Sequence, residues 1–155
     1  MKPLYPADPI LRAQRKLYLE KFKDLGLYLF RGTLSKNEEK KRRDFKQIEH
    51  LLSILEDSLN DSPTEYLFGE SHYTFVDIAL MVHVERLFFF KNSKMGTIVN
   101  FNFLEDFPNV QKWVENLKAR SELSRGLTDE TQFTDMIKDF FKSGKWGLKY
   151  PLAKM

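Results

Sequence analysis

The stretch of residues 73–88 constrains the fold more than any other part of the sequence. At 3.6 residues per turn, its apolar side chains point in all directions around a helix. They are Val76, Ile78, Ala79, Leu80, Met81, Val82, Val84, Leu87 and Phe88. Because such a helix leaves no polar face for water, other elements must surround it on most sides. The sequence therefore predicts a helix buried in the core.

The start of this helix carries its own capping signals. Thr74 and Asp77 have the spacing of a capping box, in which each side chain accepts a hydrogen bond from the other residue's backbone N–H. Tyr73 and Ile78 have the spacing of a hydrophobic staple. Because water does not reach the N–H groups of a buried helix end, the box is expected to satisfy them. This structural role is expected for Asp77 in place of a catalytic one.

Two preceding segments show the three- and four-residue spacing of amphipathic helices. One helix is expected to begin at Asp8, with Pro9 in its first turn, and to continue to Gly32. The next is expected to open at Ser35, where Glu38 would complete a capping box. The short link between these two long helices predicts an antiparallel pair.

The rest of the chain completes an all-α bundle of five to six helices. A short helix is expected over residues 97–105, and a last one over residues 128–142. Between them, a helix that starts near Pro108 presents one apolar face, formed by Val110, Trp113, Val114 and Leu117. No segment of the sequence indicates a β-strand.

Positive charge is concentrated at the C-terminal end. The whole chain carries +3, and the four lysines from residue 142 onward carry +4 with no acid among them, which leaves −1 for the rest. We expect residues 143–155 to form an extended arm beyond a helical domain of residues 1–142. Its aromatic residues Trp146 and Tyr150 are candidates for a partner interface. The alternative is that Trp146 folds back onto its own domain.

A nearly neutral body argues against a broad nucleic-acid surface, which needs clustered cations. A second basic cluster, residues 40–43, is flanked by acidic residues on a predicted helix. This pattern favours a solvated face with local ion pairs. Nucleic-acid binding through the basic segments is therefore the weakest of the functions considered.

The residues offer little for catalysis or metal binding. The absence of cysteine excludes disulfides, thiolate zinc sites and a cysteine nucleophile. His50, His72 and His83 have no histidine or cysteine three or four residues away, so structural or surface roles are expected. No catalytic residue, cofactor or metal is predicted. No presequence or membrane-spanning run is visible, so a cytoplasmic location is expected, with a mitochondrial one as the alternative.

Three motifs resemble the all-helical C-terminal domain of the glutathione transferases. Residues 4–13 resemble the segment that opens that domain, and residues 66–79 resemble its glycine followed by a capped central helix. Residues 107–120 resemble a later helix of the domain. The motifs occur in the family's order, and Glu85-Arg86-Leu87 is similar to the omega-like classes.

The resemblance also implies a missing part. In two-domain transferases a thioredoxin-like domain precedes this point and supplies most glutathione contacts and the catalytic residue, whereas this sequence starts at the linker. The main hypothesis is therefore a non-catalytic, helical protein–protein interaction module, a structural or accessory subunit of a larger complex. The alternative is the helical half of a glutathione transferase-type enzyme that needs a thioredoxin-like partner.

The same resemblance predicts an apolar strip that the missing domain leaves uncovered. Its candidate residues are Leu4, Tyr5, Ile10, Ala13 and Leu17. The partners considered for it are other protein subunits, a thioredoxin-like domain or a second copy of the chain.

Overall fold

The computed structural model describes residues 3–92, 103–124 and 129–143. Within these ranges the chain forms α-helices, two short 3₁₀ helices and no strand. The α-helices are α1 (Pro9–Glu20), α2 (Leu25–Leu34), α3 (Glu38–Asn60), α4 (Phe75–Asn92), α5 (Pro108–Lys118), α6 (Ser121–Ser124) and α7 (Glu130–Ser143). The 3₁₀ helices are Leu67–Gly69 and Phe103–Asp106. The predicted all-α fold class is confirmed.

Helix α4 lies at the centre of the bundle. Every residue from Phe75 to Lys91 is buried or half-buried, as its apolar sequence predicted. The helix packs against α1, α2, α5 and α7. Fully buried side chains around it include Phe22, Leu25, Ile48, Leu52, Leu55, Leu67, Val110 and Leu117. None of the described helices is long and apolar enough to cross a membrane.

The prediction of one helix from Asp8 to Gly32 is wrong, because the chain turns between α1 and α2. The N–H of Phe22 donates to the carbonyl of Leu19 at 2.9 Å, and the N–H of Leu25 donates to the carbonyl of Phe22 at 3.0 Å. These bonds span three residues and tighten the chain into a 3₁₀-like turn. The turn changes the direction of the chain so that Phe22 and Leu25 are both almost completely buried.

Gly32 lies inside α2, where it allows a close approach to α3. A Cβ atom added at this position would stand 2.9 Å from a ring carbon of Phe45 on α3. Real Cβ atoms essentially never come so close, so a larger residue would force the Phe45 ring to shift. Gly32 was expected to end the helix, but α2 continues to Leu34.

Helix α3 begins two residues later than the capping-box prediction. Asn37 is its N-cap residue, and its side-chain oxygen accepts a hydrogen bond from the N–H of Lys40 at 2.9 Å. Ser35 has a different role, because its Oγ accepts from the N–H of Asn37 at 3.2 Å and shapes the loop before the cap. Asparagine caps a helix as well as serine does, so Ser35 and Asn37 are both residue types that can cap α3.

Helix α5 agrees with its prediction and is capped by another helix. Val110, Trp113, Val114 and Leu117 are its buried residues. The Glu56 carboxylate of α3 accepts hydrogen bonds from the N–H groups of Asn109 at 3.0 Å and Val110 at 2.8 Å. A carboxylate at a helix N-terminus satisfies free N–H groups and complements the helix dipole. Glu56 therefore fixes α5 against α3.

The C-terminal part is described only in part. Helix α7 includes Ser143, which the prediction had placed in the arm, and its Phe133 ring lies 5.8 Å from the ring of Phe89 on α4. Trp146 and Tyr150 lie outside the described residues, as does the arm that follows residue 143. Most of the short helix expected over residues 97–105 lies outside them too.

Candidate functional site

The start of α4 is built around the carboxylate of Asp77. One of its oxygens accepts hydrogen bonds from the backbone N–H of Thr74 at 2.8 Å and from the Thr74 hydroxyl at 2.9 Å. The other accepts from the N–H of Leu67 and from the indole Nε1–H of Trp113, each at 3.0 Å. Asp77 is 0% exposed. Its carboxylate therefore ties three parts of the chain together: α4, the preceding loop and α5.

This arrangement differs from the predicted box in one bond. The Thr74 hydroxyl oxygen accepts a hydrogen bond from the N–H of Val76 at 3.3 Å and not from that of Asp77. The contacts of Asp77 with Leu67 and Trp113 were not foreseen, because both residues are distant in sequence. Four donors on one carboxylate satisfy its lone pairs, which is what a buried carboxylate needs to be stable.

Around the box, Tyr73 has polar as well as aromatic contacts. Its hydroxyl donates to a Glu122 carboxylate oxygen at 3.1 Å, and its ring lies 6.3 Å from that of Tyr66. Desolvation, followed by the hydrogen bond to Glu122, raises the pKa of Tyr73 above its ordinary value. Ile78 is half-buried. The hydrophobic staple between Tyr73 and Ile78 stays a prediction.

Helix α1 packs Tyr18 and Leu19 against the core but leaves a second apolar strip exposed. Ile10 is 69% exposed and Leu17 is 68% exposed, whereas Arg15 is 8% exposed. Ala13, which lies between the two aliphatic residues on the same side, is also exposed. We call these three residues, Ile10, Ala13 and Leu17, the α1 outer face. A surface helix normally turns its apolar side inward, so this face is typical of a surface that another element covers.

The other two residues of the predicted strip, Leu4 and Tyr5, are placed against the start of α4. The Leu4 carbonyl accepts a hydrogen bond from the N–H of Phe75 at 3.1 Å, and the ring of Tyr5 stacks on that of Phe75 with centroids 4.3 Å apart. Leu4 remains 36% exposed and Tyr5 51% exposed. The N-terminal segment is thus held in place while it keeps much apolar surface accessible to a partner.

A buried arginine explains how α1 is held with the α1 outer face exposed. Arg15 donates a hydrogen bond to the Glu70 carboxylate, and its guanidinium lies 4.9 Å from the centroid of the Phe68 ring. Phe68 has a φ of 62°, a left-handed conformation that is uncommon outside glycine, and its ring also contacts Tyr18 edge-on at 5.1 Å. An ion pair and a cation–π contact together compensate the burial of this charge.

The sequence offered one signal for these contacts that was not used. Arg15 lies four residues after Leu11 and three before Tyr18, which places it on the inward side of α1. An arginine at an inward position predicts a buried acidic or aromatic partner. The left-handed turn at Phe68 has no comparable signal, since phenylalanine does not favour it.

The remaining candidate residues stay apart from the α1 outer face. In residues 40–43, Lys41 pairs with Glu38 at 2.6 Å, and Lys40, Arg42 and Arg43 are exposed. His50 is exposed, and the Nε2 of His72 lies 3.0 Å from the Pro3 carbonyl oxygen. Across the described ranges, no histidine, aspartate or glutamate residues gather into a group that could hold a metal ion.

His83 is a half-buried histidine of α4. Desolvation, followed by the charge of Arg86, lowers the pKa of His83 below its ordinary value of 6.5. Among the contacts of the described residues, its Nδ1 has no hydrogen-bond partner. The surroundings of His83 therefore favour its neutral form over its charged form.

Comparison with known proteins gives the family. Residues 38–116 match the model of the glutathione S-transferase C-terminal domain. The chain belongs to the glutathione S-transferase C-terminal domain family. It is 28% identical over 144 residues to glutathione S-transferase U19 of Arabidopsis thaliana, an alignment that covers 90% of this chain and 60% of that protein. The chain thus spans less than two thirds of this relative.

Two solved structures show the same fold. The first, from Leishmania, is the trimeric glutathione transferase TDR1, with a TM-score of 0.69 and 17% identity over 88% of this chain and 30% of that one. The second is a glutathione transferase family member from Pseudomonas fluorescens with two glutathione molecules bound. Its TM-score is 0.64, with 21% identity over 79% of this chain and 55% of that one.

These relatives overturn the main functional hypothesis. The prediction of a non-catalytic interaction module, and with it the prediction that the protein is not an enzyme, is wrong, because the relatives are glutathione transferases. The hypothesis depended on the absence of a thioredoxin-like domain and of cysteine from the sequence. Neither absence excludes an enzyme, because the fold and composition of one domain do not fix what the protein does.

Proposed function

We propose that this domain is the helical half of a glutathione transferase-type enzyme and that its α1 outer face contacts a thioredoxin-like domain. That domain can belong to the same polypeptide or to another chain. The observation that carries the proposal is the orientation of α1, with Ile10 and Leu17 exposed while Arg15 is buried. Family membership supports the choice of partner, because the helical domain of a transferase packs against a thioredoxin-like one.

The exposed area is large enough to matter for association. Burying an aliphatic side chain completely contributes about 1.5–3 kcal/mol. Since Ile10 and Leu17 are each about two thirds exposed, their contact with a partner would contribute about 1–2 kcal/mol apiece. Leu4 and Tyr5 add further apolar area that is already held in position by Phe75.

In the proposed enzyme the two domains divide the work. The thioredoxin-like domain holds glutathione and activates its thiol, and the helical domain supplies one wall for the second, apolar substrate. The thiolate then attacks an electrophilic carbon of that substrate, so that a carbon–sulfur bond forms and the bond from this carbon to its leaving group breaks, which releases chloride in the case of chlorodinitrobenzene. The exposed apolar side chains on α1 are suited to such a wall as well as to the domain contact, because neither role needs a polar group.

The test is to join this chain to the thioredoxin-like domain of a plant glutathione transferase and to measure the conjugation of glutathione with chlorodinitrobenzene. The joined protein is expected to be retained on immobilised glutathione and to turn over. Leu17→Glu is expected to lower kcat/KM about tenfold or more, because a buried unpaired carboxylate separates the domains. Leu27→Glu is the matched control, since Leu27 is also an exposed leucine (47%) but lies on α2.

Equal kcat/KM values for Leu17→Glu and Leu27→Glu would refute the assignment of the α1 outer face. Folding of both variants is checked by thermal unfolding of the unjoined chain, in which both leucines are exposed. Retention on glutathione without any turnover would contradict the proposed enzyme class.

Self-association and cellular location are further parts of the proposal. The Leishmania neighbour is trimeric, which supports an oligomer of the complete enzyme. Light scattering coupled to size exclusion would measure the mass of the joined protein, and a monomer at micromolar concentration would contradict this part. We keep the cytoplasm as the proposed location, with mitochondria as the alternative, and fluorescence imaging of the tagged protein distinguishes them.

A further inference from the structure

Helix α2 is apolar on most of its sides, yet it lies at the surface of the bundle. Of its 10 residues, LGLYLFRGTL, Leu25 and Gly32 are the buried ones. A helix that is apolar nearly all round is normally covered by other elements, as α4 is. The incomplete burial of α2 therefore indicates a surface that meets a partner.

The exposed apolar side chains lie on one side of this helix. Leu27, Phe30 and Leu34 are spaced by three and four residues, which places them on the same side. Leu27 is 47% exposed, Leu34 is 37% exposed and Phe30 is half-buried. We call these three residues the α2 outer face. It shares no residue with the α1 outer face, so a partner at this surface is independent of the proposed transferase function.

The sequence around the α2 outer face is strongly basic. Residues 21–46, which comprise α2 and the first turns of α3, contain nine basic and four acidic side chains and so carry +5. The whole chain carries +3 and the lysines from residue 142 onward carry +4, which leaves −6 for all other residues. Residues 21–46 are therefore a positively charged part of a domain that is otherwise acidic.

The structure places these charges beside α2. Phe45 of α3 packs against Gly32, and the Arg31 guanidinium pairs with Asp44 of α3 at 2.9 Å, so the first turns of α3 run alongside α2. The axes of packed helices lie about 8–10 Å apart, which is close to the Debye length of about 8 Å at physiological salt. Charges on this part of α3 are therefore felt at the α2 outer face. Among the described residues, five exposed cations of this segment form no ion pair, namely Lys36, Lys40, Arg42, Arg43 and Lys46.

We propose that the α2 outer face docks on an anionic lipid surface. Leu27 and Leu34 enter the boundary between the headgroups and the acyl chains, and the cations of α3 and of the loop before it pair with the negative headgroups. Apolar side chains flanked by lysine and arginine are typical of protein segments that bind such surfaces. The cytoplasmic leaflet of a membrane supplies the negative charge.

Charge distinguishes lipid from the other occupants of an apolar face. A second copy of the chain would present the same surface across a two-fold axis and bring two segments of +5 together, which is repulsive. Nucleic acid attracts the same cations, but it is bound through phosphates and base edges, which leaves Leu27 and Leu34 uncovered. An anionic lipid surface matches both the charge and the exposed leucines.

The test is sedimentation of the full chain with protein-free vesicles. Vesicles of phosphatidylcholine that contain about 30% phosphatidylserine are expected to bind the chain at least tenfold more tightly than pure phosphatidylcholine vesicles. Binding to the anionic vesicles should fall steeply as the salt concentration rises from about 0.1 M to about 0.5 M. An absence of binding to the anionic vesicles, or equal binding to both kinds, would overturn the proposal.

A pair of leucine variants tests the apolar contact. Leu27→Glu is expected to weaken binding to the anionic vesicles about tenfold or more, because it removes an inserted side chain and adds a negative charge. Leu17→Glu, which makes the same change on the α1 outer face, is the matched control and should leave binding unchanged. Circular dichroism checks the folding of both, and Leu34→Glu takes the place of Leu27→Glu if that variant does not fold. Equal affinities for Leu27→Glu and Leu17→Glu would overturn the proposal.

Lysine variants test the position of the charge. Lys36→Gln and Lys40→Gln are each expected to weaken binding about fivefold. Lys112→Gln, at an exposed lysine of α5, and Lys149→Gln, in the basic C-terminal segment, should have little effect. A loss with Lys149→Gln as large as that with Lys40→Gln would assign the binding to the C-terminal segment and overturn the proposal.

A single-stranded oligonucleotide is the last probe, because it meets the same cations. We expect it to bind more weakly than the anionic vesicles do. An affinity as high as that for the vesicles, together with no effect of Leu27→Glu on vesicle binding, would assign the charges to nucleic acid and refute the lipid contact.

Discussion

Replacing Asp77 by asparagine tests how much of the fold depends on one buried carboxylate. The substitution keeps the shape of the side chain and changes one acceptor oxygen into a donor NH₂ group. Its remaining oxygen can still accept from Leu67 and Trp113, as the corresponding oxygen of Asp77 does at 3.0 Å to each. The new NH₂ group then faces the N–H of Thr74, which loses its acceptor, while the NH₂ group can donate to the Thr74 hydroxyl oxygen, 2.9 Å from the oxygen it replaces.

The magnitude follows from the bonds that are lost. A buried N–H left without an acceptor costs about 1–3 kcal/mol, and a hydrogen bond to a charged group contributes about 1.5–3 kcal/mol, of which a neutral amide recovers only part. We expect Asp77→Asn to lower the free energy of unfolding by about 2–3 kcal/mol, and Asp77→Ala to lower it by about 4 kcal/mol. Either value is a large share of the ~5–15 kcal/mol that a domain has in total.

Urea unfolding followed by far-UV circular dichroism measures these changes. Asp57→Asn is the control, because Asp57 is an exposed aspartate of α3 and its substitution should change stability by less than about 0.5 kcal/mol. A double-mutant cycle of Asp77→Ala with Trp113→Phe isolates the indole bond, because alanine removes the oxygen that accepts it, with an expected coupling of about 0.5–3 kcal/mol.

Two results would refute the reasoning about Asp77. Asp77→Asn could unfold with the same midpoint as Asp57→Asn, in which case the charge of Asp77 and its bond to the Thr74 N–H contribute nothing to stability. Alternatively the coupling with Trp113 could be zero, in which case α5 is held by apolar packing alone and the carboxylate does not connect it to α4.

Two further predictions concern α2 and its neighbours. Gly32→Ala should lower the free energy of unfolding by about 1 kcal/mol, because crowding against Phe45 at 2.9 Å outweighs the gain in helix propensity. Gly26→Ala in the same helix should raise the free energy of unfolding by up to about 1 kcal/mol, since the atom nearest to the added Cβ, the Nδ1 of His83, lies 4.0 Å away. Urea unfolding measures both variants, and an equal change in stability for Gly32→Ala and Gly26→Ala would refute the difference expected between the two glycines. The lowered pKa of His83 means that the unfolded chain binds this proton more readily, so stability should fall as pH drops below about 6.5. His83→Gln should flatten that dependence in urea unfolding at several pH values, and an unchanged slope would contradict it.

The sequence predicted the interior of the bundle better than its surface. For α4 and α5, helical spacing and burial coincide, so the apolar residues alone identify the buried positions. The turn between α1 and α2 gave no local signal, because it contains neither glycine nor proline and the apolar spacing continues from Tyr18 through Phe22 to Leu25. The 3₁₀-like turn there is a feature of the folded chain that periodicity does not express, although Phe22 and Leu25 on its two sides are both buried.

Periodicity was also insufficient to predict which surface of α1 is functional. Apolar spacing on α1 identified Ile10, Ala13 and Leu17 as one strip, but spacing alone does not say whether a strip faces the core or a partner. The position of Arg15 decides between the two, because a helix that buries a charged residue must have a specific acidic partner on that side. With Glu70 and the Phe68 ring supplying the compensation, α1 is held with its aliphatic residues outward. Rotating them into the core would break this ion pair, so the exposure of Ile10 and Leu17 is built into the domain and supports the proposed contact with a thioredoxin-like domain.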